Sequence, residues 1–345
     1  MIDFRYHLVS IVAVFLALGL GLLLGSAELK PYLLRGLENT SKAQQRQIDG
    51  YLSTQRQLLL EISRDEQFAQ DAERQLLGNL LTGQSVVLVA APGAPGSVIN
   101  GVSQLITSYT GATVTGEIQL QQPMFDVSSG TQQQLSQLAQ QLAPAAVTPG
   151  ASPVVQAGQA LASAILTRDG TGQPVAGQPD PAAAAVLSGF AGKGFVATMS
   201  GRPSEHATLA VVVVPDTPGS ASAANPESQA LVTLAQQFQR AGKGTVVAGS
   251  AAGSGPGSAI DVMRRGGRAG TVSSVDGADT TIGQIVVVWA LAKQLSGISG
   301  SYGSAGTASA AAPTPAPSPS PTATAGGPAT ASSVVTSGAA GRGAR

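Results

Sequence analysis

The sequence predicts an α/β protein. A Rossmann-like sandwich around a mostly parallel sheet follows a single N-terminal transmembrane helix and a coiled-coil stalk. From residue 84 onward, short runs of β-branched residues alternate with stretches of helical periodicity, an order typical of β-α-β units. Leu209 to Val214 is apolar at every position, as in a parallel strand buried on both faces. The uncharged run from Leu8 to Ala27 predicts the membrane helix.

The composition narrows the classes of function. The 19 basic and 19 acidic residues balance, so the basic excess of a general nucleic-acid binder is missing and no nucleic-acid partner is expected. The chain has no cysteine, which excludes a disulfide framework, a thiolate metal site and a cysteine nucleophile.

Residues 8–27 are long enough to cross a bilayer, because about 20 helical residues span its hydrocarbon core of roughly 30 Å. A cleaved signal peptide is the alternative, since Gly25-Ser26-Ala27 resembles a cleavage site. The apolar part of a signal peptide is usually about 7–15 residues, shorter than this run. We therefore predict an uncleaved single-pass anchor, with residues 1–7 in the cytoplasm and the soluble domain in the cell envelope. Inner and outer membrane are not distinguished.

Residues 28–83 are predicted to form a coiled-coil stalk. Their apolar residues recur at alternating steps of three and four, the seam of a heptad repeat. The seam consists of Leu34, Leu37, Ile48, Tyr51, Leu58, Ile62, Ala69, Ala72 and Leu76. The residues that interrupt it are Ser41, Gln44, Gln55 and Asp65. A narrow apolar stripe on so long a helix needs a partner, so we expect a homo-oligomer. The alternative is a helix that folds back onto its own domain.

Residues 84–303 are predicted to form the α/β soluble domain. Strands are expected at 85–90, 113–120, 194–198, 209–214, 245–248 and 271–275, and helices at 97–110, 131–142, 154–166, 181–190, 225–241, a short stretch ending near 265, and 281–295. The last helix is apolar nearly all round, but its short length, Gln284 and Lys293 favour a buried core helix over a second membrane span. Residues 304–345, rich in Ala, Pro, Ser and Thr, are predicted to be a disordered tail.

Two loops between a strand and a helix, Pro92–Gly96 and Gly249–Gly257, carry backbone amides that could hold a phosphate. Neither has the Rossmann spacing or a Walker lysine, so both are interpreted as structural turns. Asp276 and Asp279 lie between the last strand and the last helix, where two carboxylates could bind a metal or act as an acid/base pair. We expect Asp279 to cap the helix instead.

Catalysis and metal binding have few candidate residues. The only histidines are His7 and His206, the Gly-x-Ser-x-Gly motif is absent, and we expect neither enzymatic activity nor a cofactor. Copper(I) prefers sulfur ligands, but the methionines that follow Met1 are far apart in sequence: Met124, Met199 and Met263. Metal ligands are therefore left unknown.

Two motifs carry a resemblance to a known family. The first is the opening Met1-Ile-Asp-Phe-Arg-Tyr-His-Leu-Val-Ser10, which runs into the apolar helix and Leu24-Gly25. The second is Val275-Asp-Gly-Ala-Asp-Thr280 with Gly283, the following apolar helix and Gly300-Ser-Tyr-Gly303. In order and spacing over residues 1–303, the chain resembles the actinobacterial copper transporter family of mycobacterial copper transport protein B (MctB). The motif residues, of unknown role, are Asp3, Phe4, Arg5, Tyr6, His7, Asp276, Asp279, Gly283, Tyr302 and Gly303.

The resemblance implies a cell-envelope protein of copper homeostasis or transport, described in the family as an outer-membrane, channel-like protein that limits copper accumulation. The residues themselves indicate the envelope and no pore, because one helix cannot line a channel. Copper ions would then be transported or handled indirectly, through assembly or an envelope protein partner. Two alternatives stay open. One is a structural envelope scaffold that binds a protein partner through its coiled coil and α/β head, and the other is an enzyme or nucleotide binder that uses the glycine-rich loops.

Overall fold

The structure is a computed structural model that describes residues 4–170, 173–216, 225–265, 267 and 270–314. Asp3, the side chains of Phe4 and Arg5, those of the predicted seam residues Leu34 and Leu37, and the tail after residue 314 lie outside this part. The chain divides into two compact units, residues 1–67 and residues 68–345.

The N-terminal unit is helical. Helix α1 runs from Phe4 to Leu77 and continues into the second unit. Its segment Tyr6–Leu24 is long and apolar enough to cross a membrane, and none of it is buried against other protein. The N-terminal apolar helix that the sequence predicts is therefore present.

The part of α1 that the sequence predicts to be a stalk exposes large apolar side chains to solvent. They lie along residues 48–62, a span of about four helical turns, and consist of Ile48, Tyr51, Leu52, Leu58, Leu59, Leu60 and Ile62. Exposed side chains of this size are costly in water, which favours a partner surface.

The second unit is built on a seven-stranded sheet. Its strands are β1 (Ser85–Ala90), β2 (Thr113–Leu120), β3 (Val196–Gly201), β4 (Leu209–Val213), β5 (Gly244–Ala248), β6 (Ser273–Val275) and β7 (Ser301–Tyr302). They lie in the order β3-β2-β1-β4-β5-β6-β7. Every neighbouring pair is parallel except β2 and β3, which are antiparallel. The prediction of a mixed α/β protein with a mostly parallel sheet is confirmed.

Helices cover both faces of the sheet. They are α2 (Gly96–Tyr109), α3 (Ser129–Leu142), α4 (Pro153–Ile165), α5 (Pro181–Gly192), α6 (Pro226–Ala241), α7 (Ala259–Arg265) and α8 (Thr281–Leu295). One apolar core contains side chains of α3 to α7, and the other contains those of α2, α8 and the end of α1. In β4, Val212 points to the first core while Val211 and Val213 point to the second. The continuous apolar run at 209–214 thus reflects burial on both faces.

Several details differ from the sequence expectations. Strand β7 was not predicted, because two residues are too few for a periodic signal. The expectation that Asp279 caps α8 is wrong: the hydroxyl of Thr280 accepts the hydrogen bond from the Gly283 amide.

The predicted cap of α6 is confirmed, since the Asn225 side chain accepts from the amide of Glu227. Residues up to 314 continue along the sheet edge, where Ala310 bridges to Tyr302.

Candidate functional site

The carboxyl ends of six parallel strands meet at one edge of the sheet, together with the loops that follow them. Strand β2 pairs with one side of β1, and β4 pairs with the other side. The strand order therefore reverses direction at β1, which is the switch point of this sheet. In open α/β sheets, ligands usually bind in the crevice outside such a switch point. The two segments of the second sequence motif, one before and one after the start of α8, lie at this edge.

A buried ion pair dominates the β6–β7 end of this edge. The Nη1 atom of Arg264 on α7 lies 2.7 Å from Oδ2 of Asp276, which directly follows β6. The side chains are 2% and 0% exposed. Arg264 also donates to the Tyr302 carbonyl at 2.7 Å and to the Ser274 hydroxyl at 2.9 Å. This set of contacts, which we call the Arg264 clasp, ties α7, β6 and β7 together.

The second carboxylate oxygen of Asp276 holds the chain that leaves β7. Its Oδ1 atom accepts from the amides of Ser304 at 2.7 Å and Ala305 at 3.1 Å. A Cβ atom on Gly303 would lie 2.3 Å from the Asp276 carboxyl carbon, and the φ of Gly303 is +130°. Asp276 and Gly303, which lie in separate segments of the second sequence motif, are therefore parts of one structural cluster, in which the carboxylate is fully buried.

The remaining motif residues of the head surround this cluster. A Cβ atom on Gly283 would lie 1.9 Å from the Gly277 carbonyl oxygen, so glycine lets α8 begin directly under the loop. Asp279 is exposed, and its Oδ1 accepts from the amide of Ala251 at 3.2 Å. Tyr302 is 6% exposed, and burial raises the pKa of its phenol above the ordinary value. Asp276 and Asp279 thus hold different loops, and an acid/base pair is not formed between them.

A cleft of about 290 Å³ lies beside the clasp. Its walls are mostly apolar and include Ile282, Val286 and Ala311, with Asp279 and Thr280 at its polar part. Asp276 also lines this cleft, but its carboxylate is fully buried and accepts hydrogen bonds from Arg264 and the Ser304 amide.

The glycine-rich loop 249–257 uses several of its backbone amides for hydrogen bonds within the fold. The amides of Gly253 and Ser254 bond to residues 250 and 251 of the same loop, and that of Gly257 bonds to Asp261. Carboxylates, those of Asp216 and Asp279 among them, also contact this loop. Occupied amides beside acidic side chains disfavour a phosphate, which agrees with the interpretation of this loop as a structural turn.

The first loop, Pro92–Gly96, offers little more. Two of its residues are prolines without an N–H group, and the amide of Ala94 donates to Ala91. A Cβ on Gly93 would lie 3.7 Å from Pro215 of the loop that follows β4. The first loop and the loop that follows β4 therefore lie against each other at the switch point.

His206 lies just before β4, far from the clasp in sequence, and is fully buried. Its Nε2 atom is 3.0 Å from Oδ2 of Asp180, the residue that caps α5. The hydrogen bond with His206 holds the pKa of the Asp180 carboxyl below its ordinary value. The Nδ1 atom of His206 has no partner among the described residues, and the backbone φ of +51° is unusual for a non-glycine residue.

Sulfur and imidazole ligands do not converge in the described residues. Met124 and Met263 are fully buried in the core, while Met199 on β3 is 56% exposed. His7 is exposed on α1 beside Tyr6 in the N-terminal unit. Across residues 4–170, 173–216, 225–265, 267 and 270–314, no group of three or more His, Cys, Asp or Glu side chains could hold a metal ion.

Arg264 is a residue of this site that the sequence pattern did not single out. A usable signal existed. Asp276 directly follows a strand, and a carboxylate buried there needs a cation. Arg264 and Arg265 precede that strand closely in sequence.

Comparison with known proteins identifies relatives of the whole chain. The profile of a family described as "Copper transport outer membrane protein, MctB" matches residues 1–313. Relatives named copper transporter MctB from Mycobacterium bovis and Mycobacterium tuberculosis are 30% identical over 315 residues, which cover 89% of this chain and 96% of the relative. The relative of the same name from Mycobacterium leprae is 29% identical over 309 residues, covering 88% and 96%.

Proposed function

Because the chain belongs to the MctB family of copper transport outer membrane proteins, which is not an enzyme family, we propose that it is a membrane-anchored envelope protein that limits copper accumulation. Membership in this family makes it a protein of copper handling. The observation that carries the proposal further is the combination of an unburied apolar segment, Tyr6–Leu24, with a stalk that exposes large apolar side chains.

The proposed topology has one membrane pass. Residues 8–27 remain in the mature protein as the anchor, residues 1–7 lie in the cytoplasm, and residues 84–303 lie outside it as the α/β head. The coiled-coil stalk, residues 28–83, joins copies of the chain. The exposed apolar residues between Ile48 and Ile62 support this role, because such a face is stable when other helices cover it.

Copper handling in this proposal is indirect. Copper(I) sites use converging sulfur or imidazole ligands, whereas Met124, Met199, Met263 and His206 differ widely in position and burial. A single apolar helix also has no polar face with which to line a pore. The protein therefore acts through assembly of several copies or through an envelope protein partner.

Copper accumulation in a deletion strain tests the proposal. We expect a strain without this chain to accumulate more copper in copper-supplemented medium than the parent strain. The full chain should restore the parental copper content, and a chain lacking residues 28–83 should not. A chain truncated after residue 314 is the control and should restore it fully. Unchanged copper content with altered envelope integrity would favour the scaffold function instead.

Topology can be tested with single cysteines, because the chain contains none of its own. Val127, 71% exposed on the head, is changed to Cys in one variant and Asp3 in another. A membrane-impermeant maleimide added to intact cells should label the Val127→Cys variant, and should label the Asp3→Cys variant after lysis alone. The reverse pattern would overturn the orientation. An intact mass that begins at Glu28 would show that the anchor is removed.

A further inference from the structure

The exposed apolar face of the stalk is wider than a single heptad seam. Along residues 48–62 of α1, two seams share Ile48, Gln55 and Ile62. The Tyr51 seam, which the sequence analysis used, adds Tyr51 and Leu58. The Leu52 seam adds Leu52 and Leu59, and its steps of four and three are equally regular. All of these apolar residues are exposed in the single chain, from 43% for Leu52 to 68% for Tyr51.

Charge distinguishes the two seams. If the Tyr51 seam were the centre of a parallel assembly, Glu61 and Glu66 would occupy the g and e positions that face each other between neighbouring helices. Two like charges in that contact are unfavourable. If the Leu52 seam is the centre, the corresponding facing pairs are Tyr51 with Arg56 and Leu58 with Ser63, which carry no such repulsion.

The identities of the seam residues indicate how many helices meet. In the Leu52 seam, leucine occupies the a positions at residues 52 and 59, and isoleucine occupies the d positions at residues 48 and 62. This arrangement favours trimers and tetramers over dimers. Tyr51 and Leu58 then flank the seam and extend the apolar face on one side, and a face of that width is covered better by two neighbouring helices than by one.

From these observations we infer that residues 48–62 form a parallel bundle of three or four copies of this chain, centred on the Leu52 seam. The inference rests on the proposed self-association of the stalk and adds its register and copy number. Membrane anchors on every copy align the helices in parallel and raise their local concentration, so a short seam is sufficient. Gln55 lies within the seam as a polar layer, which fixes register at a cost in stability.

The test measures the mass of the full chain by light scattering, in mild detergent and again in lipid nanodiscs. We expect three or four copies for the wild type and one copy for the Leu59→Asp variant. Leu60→Asp is a matched control: Leu59 and Leu60 are both 59% exposed, but Leu60 points away from both seams. The control should keep the wild-type mass. Fluorescence of the single tryptophan, Trp289, reports that the head of each variant is folded.

The possible outcomes distinguish this inference from the proposed self-association of the stalk on which it rests. A dimer that Leu58→Asp dissociates and Leu59→Asp does not would overturn the Leu52 seam while leaving stalk self-association intact. A monomer in both detergent and nanodiscs would overturn both. Loss of assembly in Leu60→Asp as well as Leu59→Asp would also overturn the proposed register.

Discussion

Changing Arg264 to Met should destabilise the head strongly, because it removes the cation from a buried pair and leaves the carboxylate. The Asp276 side chain is 0% exposed, and Arg264 supplies its only basic contact among the described residues, at 2.7 Å. Two backbone amides, those of Ser304 and Ala305, would remain as donors to the carboxylate. They stabilise it partially but carry no full positive charge.

The expected magnitude follows from this burial. Removing one partner of a buried ion pair typically costs about 3–5 kcal/mol. A domain of this size loses about 2–4 °C in Tm per kcal/mol, so the Tm should fall by roughly 6–20 °C. Total stability of a domain is about 5–15 kcal/mol. If the wild-type stability lies in the upper part of that range, the Arg264→Met variant therefore still folds and its Tm can be measured.

The assay is thermal unfolding of the full chain, followed by the fluorescence of Trp289. Its indole Nε1 donates to the Leu76 carbonyl at 3.2 Å, so its signal reports the packing of α8 against the end of α1. Arg202→Met is the control, because that side chain is 78% exposed and its ion-pair partner Glu205 is itself partly exposed, at 21%. An exposed pair contributes about 0–1 kcal/mol. Equal Tm values for the two variants would refute the reasoning.

Three further outcomes are expected. Val212→Asp should abolish the cooperative thermal unfolding transition followed by Trp289 fluorescence, since it places an unpaired charge at a fully buried position of the central strand β4. An unchanged Tm would mean that this strand is exposed. Gly283→Ala should lower stability by about 1–3 kcal/mol in urea unfolding, because the new methyl group overlaps a loop carbonyl, whereas Gly130→Ala meets no atom within 4 Å and should not. Because the pKa of the Asp180 carboxyl is lowered in the folded state, its ionised form stabilises the fold above about pH 4, and this contribution is lost on acidification. The difference in Tm between the wild type and Asp180→Asn should therefore narrow below about pH 4. A difference that does not depend on pH would contradict the role of the carboxylate.

Local patterns in the sequence were sufficient for most helices and strands. β1 and β2 were predicted at the residues where they occur, 85–90 and 113–120, and α8 at 281–295. Hydrophobic periodicity is a property of neighbouring residues, so it can be read without the fold. The burial of β4 on both faces, the apolar N-terminal helix and the cap at Asn225 were predicted for the same reason.

The tertiary structure decided what depends on residues distant in sequence. Strand β3 runs antiparallel to β2, a direction that its own residues do not encode. Asp276, Gly303 and Arg264 come from separate segments and meet because β6, β7 and α7 lie side by side at one sheet edge. Strand β7 is too short for periodicity and exists through its pairing with β6. Long-range pairing selects these contacts, since each is formed only after the chain has folded back on itself, whereas the helices and strands that build them are specified locally.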